Sequence, residues 1–313
     1  MEHLTLADER IHIAAASDSN YAQHICVLAT SILISSKEPG SIFFYVLDCG
    51  MTKANKDLIS DNIRYFCGNI HFLNVSANQL SALPHTRHTK ASYARLFAPE
   101  LLPSEISRLI YLDSDIIVLD DISQLYSFPL DGRIIAAARD FSTSSGERLG
   151  LGHGNYFNSG VLLLDLNQWR ERSLSDIMKA CLIGNPGTFH FADQDALNIT
   201  FNGSWKELPP RWNTQLGVYN SRWGKWTKLG FKKDDLAEAL RNPAVIHYIN
   251  NSKPWLYKST HPLKNLYWYY LKKTPFRDYR YPDKDIRSMV KKFIDLKRIA
   301  KGIRCRRAFV GRA

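Results

Sequence analysis

Asp113 and Asp115 stand two residues apart in RLIYLDSDIIVLDD, where two acids interrupt an otherwise apolar run. In an extended segment, residues i and i+2 share a face. Two carboxylates on one face at a strand end can share a divalent cation, and oxygen ligands suit Mg²⁺ or Mn²⁺, which commonly complete their coordination with substrate phosphates and water. A pair of turn acids is the plain alternative. The flanks LIYL and IIVL argue against it, because an unpaired charge on a buried strand is too costly to keep. His247 ends the apolar run AVIH and is followed by YINNSKPW. A lone histidine is ordinarily a satisfied core or surface residue, but here the imidazole lies beside polar backbone and Lys253, where a diphosphate can be held. Adding a nitrogen donor to the carboxylates moves the metal preference from Mg²⁺ towards Mn²⁺.

Gly150, Gly152 and Gly154 invite a dinucleotide reading, and with it a nicotinamide-dependent oxidoreductase as a rival function. That run precedes a predicted strand, whereas a Rossmann fingerprint joins a strand to a helix. No phosphate-loop G-x-x-x-x-G-K-[ST] occurs, and the spacing of Ser, His and Asp favours no hydrolase triad.

The elements that must position these residues follow from periodicity. Residues 11–17 (IHIAAAS) read as a first strand, and Asp18, Ser19 and Asn20 as caps for a helix ending near Ser35. Strands are predicted over 43–48 and 69–75 with a helix over 52–66 between them, then a single strand over 108–121. Further strands fall at 133–140, 160–166 and 244–249, a helix at 167–182 and a Gly/Ser-rich loop at 142–156. Strands alternating with helices imply βαβ units, a largely parallel sheet and a nucleotide-binding first half.

The chain has 313 residues, 45% hydrophobic and 23% charged, an ordinary globular composition. Its longest apolar stretch, residues 24–34, is too short to span a bilayer, and MEHLTLADER lacks the pattern of a secretory signal. Five scattered cysteines form no paired spacing, which fits a reducing cytoplasm. Net charge is +11, but residues 284–313 alone hold eleven Lys and Arg against two Asp, leaving about +2 for the body. The body is therefore no basic nucleic-acid surface, and no nucleic-acid partner is expected.

Together the blocks ASYARLFAPELLP, YLDSDIIVLDD, NYFNSGVLLLDLNQW, FADQDALN and HYINNSKPW resemble retaining glycosyltransferase family 8, particularly the bacterial enzymes that build lipopolysaccharide outer core. The resemblance covers roughly residues 10–260 with the blocks in family order, and AAASDSNYAQH matches the start of the family's nucleotide site. It implies a single GT-A-like α/β domain, which we bound at residues 1–265; residues 266–313 read from their own composition as an aromatic, basic, membrane-associating tail. The resemblance also assigns roles. Asp18 and Asn20 match positions on uracil and ribose, Arg95 an arginine near the donor, and Lys253 a lysine on the diphosphate. Asp113, Asp115 and His247 match the metal ligands. Asn158, Asp193 and Gln194 match residues around the donor sugar and its reacting carbon, and Asp140 and His88 match the sugar and acceptor side. Asn250 and Leu256 depart from the glycine and histidine usual in the last block, although asparagine can adopt the left-handed backbone that glycine supplies.

The activity so implied is transfer of glucose or galactose from a UDP-sugar to a lipopolysaccharide core or related glycan. A diphosphate leaving group removes the need for the protonating acid of a glycosidase, since a metal can neutralise the developing charge. Two routes to retention stay open: front-face attack with Gln194 stabilising the sugar, which we favour, or Asp193 as nucleophile. In the tail, Ile286, Met289, Val290, Phe293, Ile294 and Ile303 fall near helical spacing among basic residues. Such a helix can lie on anionic lipid, so the sequence predicts a cytoplasmic enzyme peripheral on the inner face of the membrane; a membrane binder without catalysis is the remaining alternative, but it leaves Asp113 and Asp115 unexplained.

Overall fold

The computed structural model describes residues 10–84, 90–142, 144–185, 189–219, 223–286 and 288–289. His88, and the tail positions from Val290 onward, lie outside the described residues.

The first strand, β1 (Ile11–Ser17), is buried along its whole length, as a strand covered on both faces must be. Its alternate side chains serve two cores: Ile11, Ile13 and Ala15 face one, Ala14 and Ala16 the other. β2 (Ile42–Asp48) and β3 (Asn69–Asn74) add outward from β1 in parallel, and β4 (Arg108–Leu112) returns to pair with the other side of β1. The main sheet continues through β7 (Phe157–Asp165), β6 (Ile135–Arg139) and β8 (Lys206–Glu207), in the order β3-β2-β1-β4-β7-β6-β8. Only the β4–β7 and β6–β7 pairings in it are antiparallel, so the sheet is mostly parallel, as predicted. The strand order reverses between β1 and β4. In open α/β sheets a ligand crevice forms at such a reversal, outside the carboxyl ends of the strands.

Helix α1 (Ala22–Ser35) is buried around almost its entire circumference. Asn62 of helix α2 (Lys53–Tyr65) donates to Thr30 Oγ1 at 2.7 Å, and Ser31 Oγ accepts from the Val118 amide at 3.0 Å.

Three expectations are corrected. The run over 108–121 is two strands: β4 ends at Leu112, residues 113–115 turn, and β5 (Ile116–Val118) leaves the main sheet to pair antiparallel with β9 (Val245–His247). Asp113 and Asp115 therefore meet across a turn, and not as neighbours on one strand face. The helix over 167–182 breaks into Leu166–Glu171 and Leu174–Gly184 around Ser173, whose φ of +50° no helix accommodates. Within the loop over 142–156, Ser145–Arg148 forms one helical turn. The aromatic segment after residue 265 packs on the body. Its helix Lys264–Leu271 buries Tyr267, Tyr270 and Leu271 against Val27, Ile117, Ile246 and Trp255.

Candidate active site

Two strand registers bring the candidate metal ligands together. In the β4–β7 pairing Leu112 faces Val161, and the Asp113 amide donates to the Gly160 carbonyl at 2.9 Å. In the β5–β9 pairing Ile116 faces His247, and the Tyr248 amide donates to the Asp115 carbonyl at 3.0 Å. One turn thus sets both carboxylates against the imidazole: His247 Nε2 lies 3.2 Å from Asp115 Oδ1 and 3.7 Å from Asp113 Oδ2. Ligand atoms from the three residues all fall within 4.8 Å of one another.

The hydrogen bonds behind the cluster fix the imidazole. Asn158 Oδ1 accepts from the Gly160 amide at 3.1 Å and from Asn213 Nδ2 at 2.9 Å, which leaves Asn213 Oδ1 to accept from His247 Nδ1 at 3.0 Å. In the neutral ring, a proton on Nδ1 turns the Nε2 lone pair towards two carboxylates. Three electron-rich groups facing one point suit a cation between them, so this donor set fits a divalent metal. Gly160 leaves the room. A Cβ on it would overlap the His247 ring and come within 2.8 Å of Asp113 Oδ2.

Two fixed cations flank the cluster. Arg95, 6% exposed, donates through Nη2 to Asp113 Oδ1 at 2.8 Å and through Nη1 to the Ser159 carbonyl, and its Nε lies 2.8 Å from Asp193 Oδ2. Burial opposes its charge, but Asp113 and Asp193 outweigh that and raise its pKa. Lys253 Nζ donates to Asp115 Oδ2 and, at 2.9 Å, to the Tyr248 carbonyl. Burial of Asp115 works against ionisation, yet the Lys253 ammonium beside it holds its carboxyl well below the usual range. Asp193 behaves oppositely: burial raises its pKa, and the Arg95 charge only partly offsets this.

Opposite the cluster, Asp140 Oδ2 accepts from Asn158 Nδ2 at 2.9 Å and Gln194 Nε2 at 3.4 Å, while Oδ1 accepts from the Ser142 amide at 2.7 Å. Burial raises the Asp140 pKa despite these donors. Gln194 and Asp193 come from the first turn of helix Ala192–Thr200.

These residues line one cavity of about 1400 Å³ at the carboxyl ends of β1 and β4. Of the residues singled out by sequence, the structure brings Asp18, Arg95, Asp113, Asp115, Asp140, Asn158, Asp193, Gln194, His247 and Lys253 to its wall. Asn20 is exposed and not among the lining residues; its amide and side chain both donate to Asp18. Asn250 adopts φ +59°, the left-handed backbone anticipated for it, and lines the cavity beside Lys253. Sequence reasoning missed Asn213, Gly160 as the gap for the imidazole, and Trp226 and Tyr21 as wall residues. Gly150, Gly152 and Gly154 all have positive φ in the turns leading into β7, so they join no strand to a helix and form no dinucleotide loop.

Residues 12–259 match the family model described as Glycosyl transferase family 8. The chain is 33% identical over 275 residues to General stress protein A of Bacillus subtilis (strain 168), covering 85% of this chain and 95% of that protein. It is 30% identical over 284 residues to the lipopolysaccharide 1,2-glucosyltransferase of Escherichia coli (strain K12), covering 86% and 80%. Among solved structures, the galactosyltransferase LgtC in complex with donor and acceptor sugar analogs matches with a TM-score of 0.71 at 26% identity, covering 85% of this chain and 96% of that one. The α/β fold is accordingly the GT-A-like one that the sequence blocks implied. A family match across nearly the whole described body establishes that this chain belongs to glycosyl transferase family 8 and is a glycosyltransferase.

Proposed function

We propose that this glycosyltransferase moves glucose or galactose from a UDP-sugar, with retention and with Mn²⁺ as the preferred ion, onto a lipopolysaccharide core or related surface glycan. The observation that carries the reading is the convergence of Asp113, Asp115 and His247 at the cavity floor, with Arg95 and Lys253 beside them. Such a metal, when bound, supplies Lewis-acid neutralisation of a diphosphate leaving group. Lys253, on the loop that contains the left-handed Asn250, is placed to add fixed positive charge to that diphosphate, and Asp18 to meet the nucleoside. Asp140, Asn158 and Gln194 form one hydrogen-bonded group suited to orient hexose hydroxyls. A cavity of about 1400 Å³ exceeds the roughly 300–1,000 Å³ of an ordinary ligand pocket, which favours a site for two substrates.

Front-face attack remains the favoured route. Asp193 is 4% exposed and held in an ion pair with Arg95, which ties up the carboxylate that a nucleophile would need free. The lipopolysaccharide-type acceptor is supported by the name of the E. coli relative. Attachment to an anionic membrane, at the inner face in the cytoplasm, rests on the basic sequence beyond the described residues; no described helix is long and apolar enough to cross a membrane. Because residues 266–281 pack on the body, the membrane-associating part of the proposed 266–313 tail belongs after them. A screen of UDP-sugars with Mn²⁺, scoring UDP release and the anomeric form of the product by NMR, tests the reading. Turnover of one UDP-hexose to an α-linked product is expected; a β-linked product, or no UDP-sugar turned over, rejects it.

A further inference from the structure

The Gln194 carboxamide is oriented from both ends. Its Oε1 accepts from the Ser159 amide at 3.0 Å, from Ser159 Oγ at 3.2 Å and from Asn158 Nδ2 at 3.3 Å. Its Nε2 donates to Tyr156 Oη at 3.1 Å and to Asp140 Oδ2 at 3.4 Å. A hydroxyl can donate or accept, so Tyr156 would be indifferent to the flip of the amide if its own hydrogen were free. It is not free. The Tyr156 hydroxyl donates to Asp195 Oδ1 at 2.6 Å, and Asp195 is fully buried. Arg148 Nη2 donates to both Asp195 oxygens at 2.8 Å, and the amides of His190 and Phe191 donate to Oδ2 at 2.8 and 3.0 Å. A carboxylate with that many donors stays an acceptor, so Tyr156 must point its hydrogen at Asp195 and its lone pair at Gln194.

We propose that Tyr156 is a positioning residue for sugar transfer, which with Asp195 and Arg148 forms a one-way hydrogen-bond relay holding the Gln194 carboxamide in a single orientation at the donor sugar. The inference rests on the reading that Gln194 acts at the reacting carbon. A flipped amide would set its N–H groups against the Ser159 amide and its oxygen against the Asp140 carboxylate, and Tyr156 could not compensate. Tyr156 lies on the strand approach to β7, beside Asn158, while Arg148 comes from the short helix Ser145–Arg148 in the glycine-bearing loop. That loop, whose Ser142 amide already holds Asp140, thereby reaches the chemistry a second time through one buried carboxylate.

The test is a double-mutant cycle on kcat, with donor KM, UDP binding by calorimetry and thermal melting measured alongside. Tyr156→Phe removes one hydroxyl and leaves Asp195 its arginine and backbone donors, so melting and UDP binding should hold. The expected loss is about tenfold in kcat with donor KM within about twofold, the size of one positioning hydrogen bond. In a Gln194→Ala background the same substitution should cost less than about twofold. Arg148→Lys, which keeps the charge but replaces the planar head group whose Nη2 meets both Asp195 oxygens, should show the same dependence on Gln194. If Tyr156→Phe slows wild type and Gln194→Ala equally, or slows neither, the relay is overturned while the role of Gln194 stands. If Gln194→Ala alone leaves kcat unchanged, the role of Gln194 falls first and the relay with it.

Discussion

Replacing Asp115 with alanine separates the metal reading from a purely structural one, because the structure assigns the two effects different sizes. The carboxylate is 11% exposed and joins Lys253 to His247. Breaking a buried pair from one side costs about 3–5 kcal/mol when the other charge is stranded. Here it is not stranded: Lys253 keeps the Tyr248 carbonyl at 2.9 Å and is 22% exposed, and His247 keeps Asn213 at 3.0 Å. A cost of about 1–2 kcal/mol is therefore expected, lowering Tm by about 2–4 °C in a body of this size. Activity should fall much further. A unit charge about 4 Å from a divalent ion is worth about 8 kcal/mol at an effective permittivity of about 20, and if desolvation offsets half of it, about 4 kcal/mol remains. That is about a thousandfold in turnover. The assay is UDP release at saturating Mn²⁺, with melting followed by circular dichroism. Turnover within about tenfold of wild type, or loss of fold in step with loss of activity, would refute the reasoning.

Gly160→Ala should abolish metal-dependent turnover at a stability cost of about 1–3 kcal/mol, because the added methyl displaces the His247 ring and Asp113 together; Mn²⁺ titration of the folded variant checks it. Asp140 offers a pH test. Its folded-state pKa is raised above 3.8 by burial, so the stability it contributes is complete below 3.8 and is lost as pH rises through the folded value. The Tm penalty of Asp140→Asn should accordingly shrink between pH 4 and pH 7, and a penalty that grows over that range would contradict the sign. Truncation after Met289 should release the protein from anionic vesicles, at about 1 kcal/mol per basic residue before salt screening, and spare transfer to a soluble acceptor. A cut nearer Tyr281 would confuse the outcome, since Asp283 accepts from the Tyr257 and Lys258 amides and anchors the chain beyond Lys253.

Much of the fold was legible because burial on both faces leaves a plain mark. β1, β2 and β3 read as short apolar runs between capping and turn residues, and the structure places them within a residue or so of the expected bounds. Asp113 and Asp115 were legible as a site because acids inside LIYL and IIVL have no cheap burial without a partner. What could not be read was that the chain changes sheets between them, since the apolar residues on either side are alike and only β9, about 130 residues on, decides the partner of β5. The break at Ser173 carried no signal, because no glycine or proline marks it. His247 was singled out through the resemblance to a family, and the residues that fix its tautomer, Asn213 and Asn158, lie in different segments joined only by the fold. Asn213 sits among the Pro and Trp clusters after residue 200, where periodicity is weakest. The resemblance put Asn20 with Asp18 at the nucleoside; in the structure Asp18 caps the turn that follows, and the Asn20 side chain donates back to it at 3.3 Å.

The most direct test of the central claim is anomalous diffraction from crystals of the protein grown with UDP and Mn²⁺. The account predicts one strong anomalous peak bounded by Asp113, Asp115 and His247 Nε2, with the diphosphate against it and Lys253 moved from Asp115 towards the phosphates. UDP bound in the cavity with no ion at those three residues, or the ion held elsewhere, would contradict it.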